Sequence, residues 1–260
     1  MRLEAKVFWT PKAGNSPEEY EDAYDAHLPI DDAEWNDEFC RCAVADGATQ
    51  TSFSRLWAQL LVNAYCEGLL ASNEVHTALE PLQEKWRGQV STKPLPWFAQ
   101  EKIRQGAFST LMGLTFVNEH PSDGLGGQWT ALAVGDSCLF QIRQHVLLQR
   151  FPLEHSADFN NSPALLSSNP ISNRSIEESM YERTGSWETG DLFFLMTDAL
   201  ACWFLRHCEE QEKDPVLLLA NIESQAEFLD FIETERKETD DQGRRVLRND
   251  DITLFRIYVS

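Results

Sequence analysis

The chain has 260 residues, of which 22 are Lys or Arg and 42 are Asp or Glu, giving a formal net charge of −20 at pH 7. Hydrophobic residues make up 42% of the sequence and charged residues 25%, proportions that indicate a folded chain and exclude wholesale disorder. So acidic a surface repels phosphate backbones and anionic lipid, and we therefore expect neither nucleic acid nor a membrane as a partner.

The sequence predicts a cytoplasmic protein. No apolar run approaches the ~18 residues of a membrane span, and the N-terminus has no signal-peptide core. The cysteines form no C-x-x-C pair and mostly lie in apolar runs, which indicates buried reduced thiols, with a zinc site as the rival interpretation. Because no heptad or long edge motif argues for a dimer, we expect a monomer.

In chain order, the first half begins with a strand and continues with helices. Residues 39–45 are short and apolar and stop at Asp46-Gly47, which predicts a buried strand. Apolar spacing then predicts helices over residues 51–65, 74–86 and 97–104.

The second half is rich in strands. Four are predicted in succession, followed by an Asn-, Ser- and Pro-rich stretch at 152–186 that is too long for a plain connector and predicts a functional loop or flap. A buried strand at 191–197, helices at 199–212 and 224–236, a charged loop and a final strand complete the chain. Grouped strands with helices between them favour packed antiparallel sheets flanked by helices. The four successive strands cover residues 107–117, 129–134, 138–142 and 146–151, the loop covers 237–248, and the final strand covers 252–259.

Acidic residues fall at the ends of these strands. Asp46 and Asp198 each end a buried strand, Asp250 precedes the last one, and Glu21 and Asp22 lie near the N-terminal strand. A carboxylate at a buried strand end costs desolvation free energy unless a cation compensates it. Converging ends would supply an oxygen-only ligand set, which favours Mg²⁺ or Mn²⁺ over zinc. Two such ions can hold a hydroxide and a phosphoryl oxygen together.

Each acid also has a purely structural interpretation. Asp46-Gly47 is a common turn pair, Asp198 suits the N-cap of the following helix, and Asp250 lies in ordinary turn chemistry. The acidic run that contains Glu21 is compatible with a solvated face. Carboxylates far apart in the folded protein would establish this structural reading.

Six short blocks follow one another in the order found in a known enzyme family, and together they span nearly the whole chain. They are Glu21-Asp22-Ala23, Phe39–Gly47, Gly106–Thr110, Trp129–Arg143 with Ala-Val-Gly-Asp-Ser inside it, Gly190–Asp198, and Asp250-Asp251-Ile252-Thr253. No single block is specific, but the ordered set resembles the metal-dependent Ser/Thr protein phosphatases of type 2C, the PPM family, in their compact bacterial form.

The resemblance implies a metal centre. Asp46 would bridge two ions, Gly47 would offer its carbonyl oxygen to one of them, and Asp198 and Asp250 would bind the other. The cofactors implied are two Mg²⁺ or Mn²⁺ ions, with a weaker third. Asp46 and Asp198 would be the catalytic pair, acting through a hydroxide that bridges the metals.

The remaining site residues are implied more weakly. Glu21 and Asp22 would act near the ion on the Gly47 side, partly through water. Asp136 resembles the acid linked to the third metal, although a turn aspartate is an equal alternative. Lys12 is the basic residue nearest to the place where some members carry a phosphate-binding arginine, and a surface lysine is its simpler interpretation.

For the whole chain, the resemblance implies an α+β, four-layer sandwich of two packed antiparallel β-sheets flanked by helices, as a single catalytic domain over residues 1–260. It implies hydrolysis of phosphoserine and phosphothreonine in proteins, in signal transduction opposite a Ser/Thr kinase. The alternative is a weakly active or inactive phosphatase-like module that binds a phosphoprotein or a kinase. That alternative is motivated by Ala199 and Asp251, which stand where the family has Gly and Asn.

Overall fold

Two five-stranded antiparallel sheets form the centre of the protein. The computed structural model describes residues 2–27, 39–49, 53–70, 75–92, 103–117, 126–211 and 213–260. Its strands are β1 (Leu3–Thr10), β2 (Ala23–His27), β3 (Phe39–Ala45), β4 (Phe108–Ser109), β5 (Leu111–Val117), β6 (Gly126–Val134), β7 (Cys138–Arg143), β8 (Val146–Phe151), β9 (Leu166–Ser167), β10 (Met180–Glu188), β11 (Leu192–Met196) and β12 (Ile252–Val259). The first sheet has the order β1-β12-β11-β7-β8 and the second β10-β6-β5-β3-β2, while β4 and β9 form a short pair.

Helices cover the outer face of each sheet. They are α1 (Ser54–Cys66), α2 (Val75–Ser91), α3 (Asp198–Glu210), α4 (Pro215–Ala220) and α5 (Gln225–Glu235). Trp57 and Leu61 of α1 pack in one apolar cluster with residues of the second sheet, and Trp203 and Phe204 of α3 pack in another with residues of the first. A third cluster, containing Phe116 and Phe193, fills the space between the sheets. The predicted four-layer sandwich is therefore confirmed.

The central strands are apolar on both faces because each sheet lies between a helical layer and the other sheet. In β12, seven of the eight positions are buried, and Tyr258 is the exposed exception. The continuous apolar runs that predict buried strands at 39–45 and 191–197 arise from this double burial.

The pairing register brings several strand ends to one end of the sandwich. Met196 at the end of β11 pairs with Leu254 of β12 and with Cys138 at the start of β7. In the second sheet, Leu111 at the start of β5 pairs with Val134 at the end of β6. The residues that follow β3 and β11, precede β12 and lie between β6 and β7 therefore meet. These are Asp46, Asp198, Asp250 and Asp136.

The structure differs from the predicted elements in three places. The end of the predicted loop 152–186 is a strand, β10, which pairs along its whole length with β6, so only the earlier part remains as a candidate flap. The short helix α4 was not predicted. The N-cap of α3 is Thr197, and Asp198 is the first helical residue, so the N-cap interpretation of Asp198 is wrong.

Other predictions fall at or beyond the edge of what the structure describes. The helix predicted at 97–104 lies mostly outside the described residues, and the assignment of residues 1–260 to one domain stays a prediction. All six cysteines are free, as expected of reduced thiols. In the described part of the chain, no helix is long and apolar enough to cross a membrane.

Candidate active site

A cavity of about 610 Å³ opens where β3 and β11 end. Four aspartates and Arg248 line it together with a short segment at 160–165 of the candidate flap. The aspartates are Asp46, Asp136, Asp198 and Asp250. The structural reading of the sequence required the strand-end carboxylates to lie far apart, and this shared cavity contradicts it.

The backbone around Asp46 is fixed by hydrogen bonds to the start of β5. The Asp46 N–H donates to Thr110 Oγ1 at 2.9 Å, and its carbonyl oxygen accepts from the Thr110 N–H at 2.9 Å and from Ser109 Oγ at 2.8 Å. The Thr110 hydroxyl also lies 2.8 Å from that of Ser137, beside Asp136 in the β6–β7 turn. One threonine thus links the two segments that carry Asp46 and Asp136.

The turn itself requires a glycine. Gly135 has a φ of +95°, and a Cβ there would lie 2.7 Å from Thr110 Cγ2 and 2.9 Å from the Ala164 carbonyl oxygen. Because a side chain would both strain this backbone and collide with its neighbours, the glycine permits the close approach of the turn to β5 and to the candidate flap.

Burial and mutual repulsion raise the pKa values of Asp46, Asp136 and Asp198. Burial raises the pKa of Asp46 well above its usual value, and the charges of neighbouring aspartates raise it further. Burial and the charge of Asp198 raise the pKa of Asp136 to about 7. For Asp198, burial outweighs the favourable charge of Arg248, so its pKa is also raised. Protonation or a bound cation would relieve the repulsion between like charges that are held together in this way.

Two side chains of the protein itself supply positive charge. Arg248 Nη2 lies 3.0 Å from Asp198 Oδ2, and Lys12 Nζ lies 2.9 Å from Asp250 Oδ1. The Lys12 ammonium also hydrogen-bonds the Thr49 hydroxyl, and Thr49 lines the cavity. Burial lowers the pKa of Lys12, but its hydrogen bond to Asp250 and the nearby carboxylates outweigh this effect and raise it.

Glu21, Asp22 and Gly47 lie beside the cavity and are not among its lining residues. Glu21 Oε1 accepts a hydrogen bond from Ser54 Oγ at 2.5 Å. Asp22 is 2% exposed, and its Oδ2 accepts from Thr253 Oγ1 at 2.7 Å. A Cβ on Gly47 would lie 2.6 Å from the Glu21 carbonyl oxygen, so this contact requires glycine.

The chemistry of the donors fits a hard divalent cation. Asp22, Asp136 and Asp198 each have a buried Oδ1 with no hydrogen-bond partner among the described residues, and buried carboxylate oxygens of this kind suit Mg²⁺ or Mn²⁺. In the part of the chain that the structure describes, no three carboxylate, imidazole or thiol groups already converge on one metal position. Arg248 and Lys12 instead pair with Asp198 and Asp250.

Comparison with known proteins gives the family. The family description "Protein phosphatase 2C" matches residues 21–245, which is most of the chain. This protein belongs to the protein phosphatase 2C family. A search of curated protein sequences found no significant match.

Solved structures agree with this protein phosphatase 2C fold. The photosystem II phosphatase PBCP superposes with a TM-score of 0.59 at 16% identity, covering 99% of each chain. The Mycobacterium tuberculosis serine/threonine phosphatase PstP/Ppp gives 0.60 at 13% identity over 100% of each chain. The catalytic domain of PstP in complex with 2 manganese ions gives 0.59 at 14% identity over 99% of each chain.

The backbone at Ala199 accommodates alanine, although protein phosphatase 2C members are expected to have glycine at this position. The alanine methyl group would crowd the turn only if the backbone needed a positive φ. Ala199 instead lies in the first turn of α3, where helical backbone suits alanine, and its side chain is buried in the apolar cluster under the first sheet.

Asp251, in place of the family's Asn, is not among the residues that line the cavity, and it hydrogen-bonds the backbone at two positions. Its Oδ1 accepts from the Lys12 N–H at 2.8 Å, and its Oδ2 accepts from the Glu21 N–H at 2.7 Å. The carboxylate therefore holds the segment that carries both Lys12 and Glu21. Because each oxygen faces a donor, the position requires two acceptors.

We expect Asp251→Asn to destabilise the protein, although it introduces the family's residue. The asparagine amide has one acceptor oxygen, so its NH₂ group would face a backbone N–H. An unsatisfied buried donor costs about 1–3 kcal/mol, which urea unfolding would measure as a lower midpoint. Exposed Asp241→Asn is the matched control. A variant as stable as wild type would contradict the two-acceptor role.

Sequence reasoning missed Arg248 and Thr110. Arg248 falls in the predicted charged loop, two residues before Asp250. Its closeness to a predicted ligand was the available signal. Thr110 ends the Gly106–Thr110 block, but the block does not predict its role, because its contacts join residues far apart in the chain.

Proposed function

We propose that the protein hydrolyses phosphoserine and phosphothreonine in proteins and that it requires divalent cations. The observation that supports this most strongly is the meeting of four aspartates, from four separate segments of a protein phosphatase 2C chain, in one cavity. The raised pKa values of Asp46, Asp136 and Asp198 reflect the charge that a cation would neutralise. Further parts of the proposal are an opposing Ser/Thr kinase, a role in signalling, a monomeric state and a cytoplasmic location.

In this proposal the predicted ligands hold Mg²⁺ or Mn²⁺. Asp46, the Gly47 carbonyl, Asp198 and Asp250 would hold two ions, with Glu21 and Asp22 assisting from behind the cavity. Asp136 would hold a third, weaker ion. The PstP catalytic domain, a similar structure, was solved with 2 manganese ions. When bound, such ions lower the pKa of a water and neutralise charge on a phosphoryl group.

The chain's own residues would position the reactants. The hydrogen bonds of Thr110 keep the Asp46 segment rigid, so its carboxylate needs little reorganisation. Lys12, at the rim, would attract the substrate phosphate. The segment at 160–165 carries Asn and Ser side chains that would contact the substrate backbone where the phosphorylated side chain enters.

Phosphate release from a phosphothreonine peptide tests this function. We expect release by wild type with Mn²⁺, none with EDTA, and a loss in Asp198→Asn of more than the about 10- to 100-fold that weaker outer-shell changes cause. Circular dichroism would verify that the variant is folded. Wild type that is folded and binds Mn²⁺ but releases no phosphate would contradict the proposal.

The second candidate is an inert module that binds phosphoproteins or a kinase. One observation favours it: Arg248 and Lys12 pair with two of the predicted ligands, so the carboxylates are partly neutralised without a metal. Titration calorimetry distinguishes the two candidates, because the inert module would give no Mn²⁺ binding at millimolar concentration and the enzyme would bind.

A further inference from the structure

Arg248 is held over the cavity by its neighbours in the chain. Leu247 is fully buried in the apolar cluster under the first sheet, and the Arg248 carbonyl oxygen accepts from the Asp250 N–H at 3.1 Å. Arg236 Nη2 donates to the Asp250 carbonyl oxygen at 2.6 Å, which fixes the next turn of backbone. The backbone of Arg248 is thus anchored on both sides, while its side chain is 41% exposed.

The guanidinium is poorly satisfied where it lies. Its Nη2 atom approaches Asp198 Oδ2 at 3.0 Å, but this buried nitrogen makes no hydrogen bond of acceptable geometry with any residue that the structure describes. Within the same part of the chain, the buried Asp198 Oδ1 has no hydrogen-bond partner. A guanidinium normally forms two parallel hydrogen bonds with a carboxylate or a phosphate, so this pair leaves much of the bonding capacity of Arg248 unused.

Because of its position, Arg248 would compete with a metal for the Asp198 carboxylate. A divalent cation on the carboxylate would lie close to the guanidinium, and like charges near a protein surface repel by several kcal/mol at contact. The Asp198 carboxylate cannot bind the metal and the guanidinium well at the same time, so one of the two must move away. The guanidinium has the freedom to yield because its exposed part faces the cavity.

We propose that Arg248 is an exchangeable cation: it neutralises Asp198 when no metal is bound and turns to the phosphate oxygens of the substrate when a divalent cation takes Asp198. This deepens the proposed phosphatase function and rests on it for the identity of the substrate. The five-donor fork of arginine matches a phosphate group, which the carboxylate-lined wall of the cavity would otherwise repel. Arg248 therefore weakens metal binding at Asp198 and strengthens phosphate binding to the metal-loaded protein.

Calorimetry with Mn²⁺ and then with inorganic phosphate tests this exchange in the full chain. For Arg248→Gln we expect Mn²⁺ to bind about tenfold more tightly, because the competing positive charge is gone. Phosphate should bind the Mn²⁺-loaded protein about tenfold more weakly, because one charge-assisted hydrogen bond is lost. Arg248→Lys keeps the charge and should stay closer to wild type in Mn²⁺ affinity. Lys237→Gln, at an exposed pair with Glu233, controls for net charge.

The opposite signs distinguish exchange from a structural role. A residue that only supported the fold would weaken both affinities in Arg248→Gln, and this result would overturn the proposal, as would unchanged Mn²⁺ affinity. Tighter Mn²⁺ binding with unchanged phosphate binding would also overturn it, because the released guanidinium would then have no role. If Mn²⁺ and phosphate behave as expected but no phosphopeptide is hydrolysed, the exchange stands and the proposed function fails.

Discussion

Replacing Asp46 with Asn is expected to remove metal-dependent activity and, at the same time, to stabilise the metal-free protein. The loss of activity should exceed the about 10- to 100-fold that follows from changing an outer-shell partner, because Asp46 is the ligand proposed to join two ions. The stabilisation should be on the order of 1 kcal/mol at pH values where the carboxyls are charged, because one like charge leaves the cluster.

The structure explains why the two effects have opposite signs. Burial and four neighbouring aspartates raise the pKa of Asp46, so its charged form is unfavourable in the folded protein without a metal. Asparagine has nearly the same shape and leaves the backbone hydrogen bonds to Thr110 in place. The proposed function therefore depends on a charge that destabilises the metal-free fold.

Urea unfolding in EDTA and phosphate release in Mn²⁺ would measure the two effects. Asp230→Asn on the exposed side of α5 removes the same charge far from the cluster and is the control. An Asp46→Asn variant that is less stable than wild type in EDTA, or that keeps normal activity in Mn²⁺, would contradict the account.

The metal-free protein is expected to become more stable as the pH falls from about 7.5 to about 5.5, by about 1–2 kcal/mol for each carboxyl that titrates in this range. Asp136 is such a group, since burial and the charge of Asp198 raise its pKa from 3.8 to about 7. A carboxyl with a raised pKa binds more protons in the folded than in the unfolded protein. Its destabilising effect appears above pH 3.8 and grows until about pH 7.

Asp136→Asn isolates this contribution. The net charge of −20 also favours the folded protein at lower pH, while the buried His207, whose pKa is lowered by burial, acts in the opposite direction. Both remain in the variant, so the difference in slope between wild type and variant comes from Asp136 and from the effect of its charge on the neighbouring aspartates. Thermal unfolding across this range in EDTA should show a flatter dependence for the variant. Equal slopes would show that Asp136 does not titrate there.

Much of the fold could be predicted from the sequence because the central strands are buried on both faces. Apolar runs such as 39–45 and 191–197 leave little choice of structure, and their ends carry acids that the structure brings together. The edge strand β10 was missed because its residues are mostly exposed on one side of a sheet, where polar and small residues are tolerated.

The candidate site could be predicted only in part. Order along the chain and the family resemblance pointed to Asp46, Asp198 and Asp250, which the structure places in one cavity. The role of Asp251 could not be read from its residue type, because the extra charge is used on backbone donors from two distant segments. Contacts of this kind depend on the tertiary positions of distant segments, which the local sequence does not determine.

Titration of Mn²⁺ into wild type and Asp198→Asn, followed by calorimetry, tests the central claim that this aspartate-lined cavity is a metal centre. The account predicts binding by wild type and a marked loss of affinity in the folded variant. Equal binding by both proteins, or no binding by wild type at millimolar Mn²⁺, would contradict it.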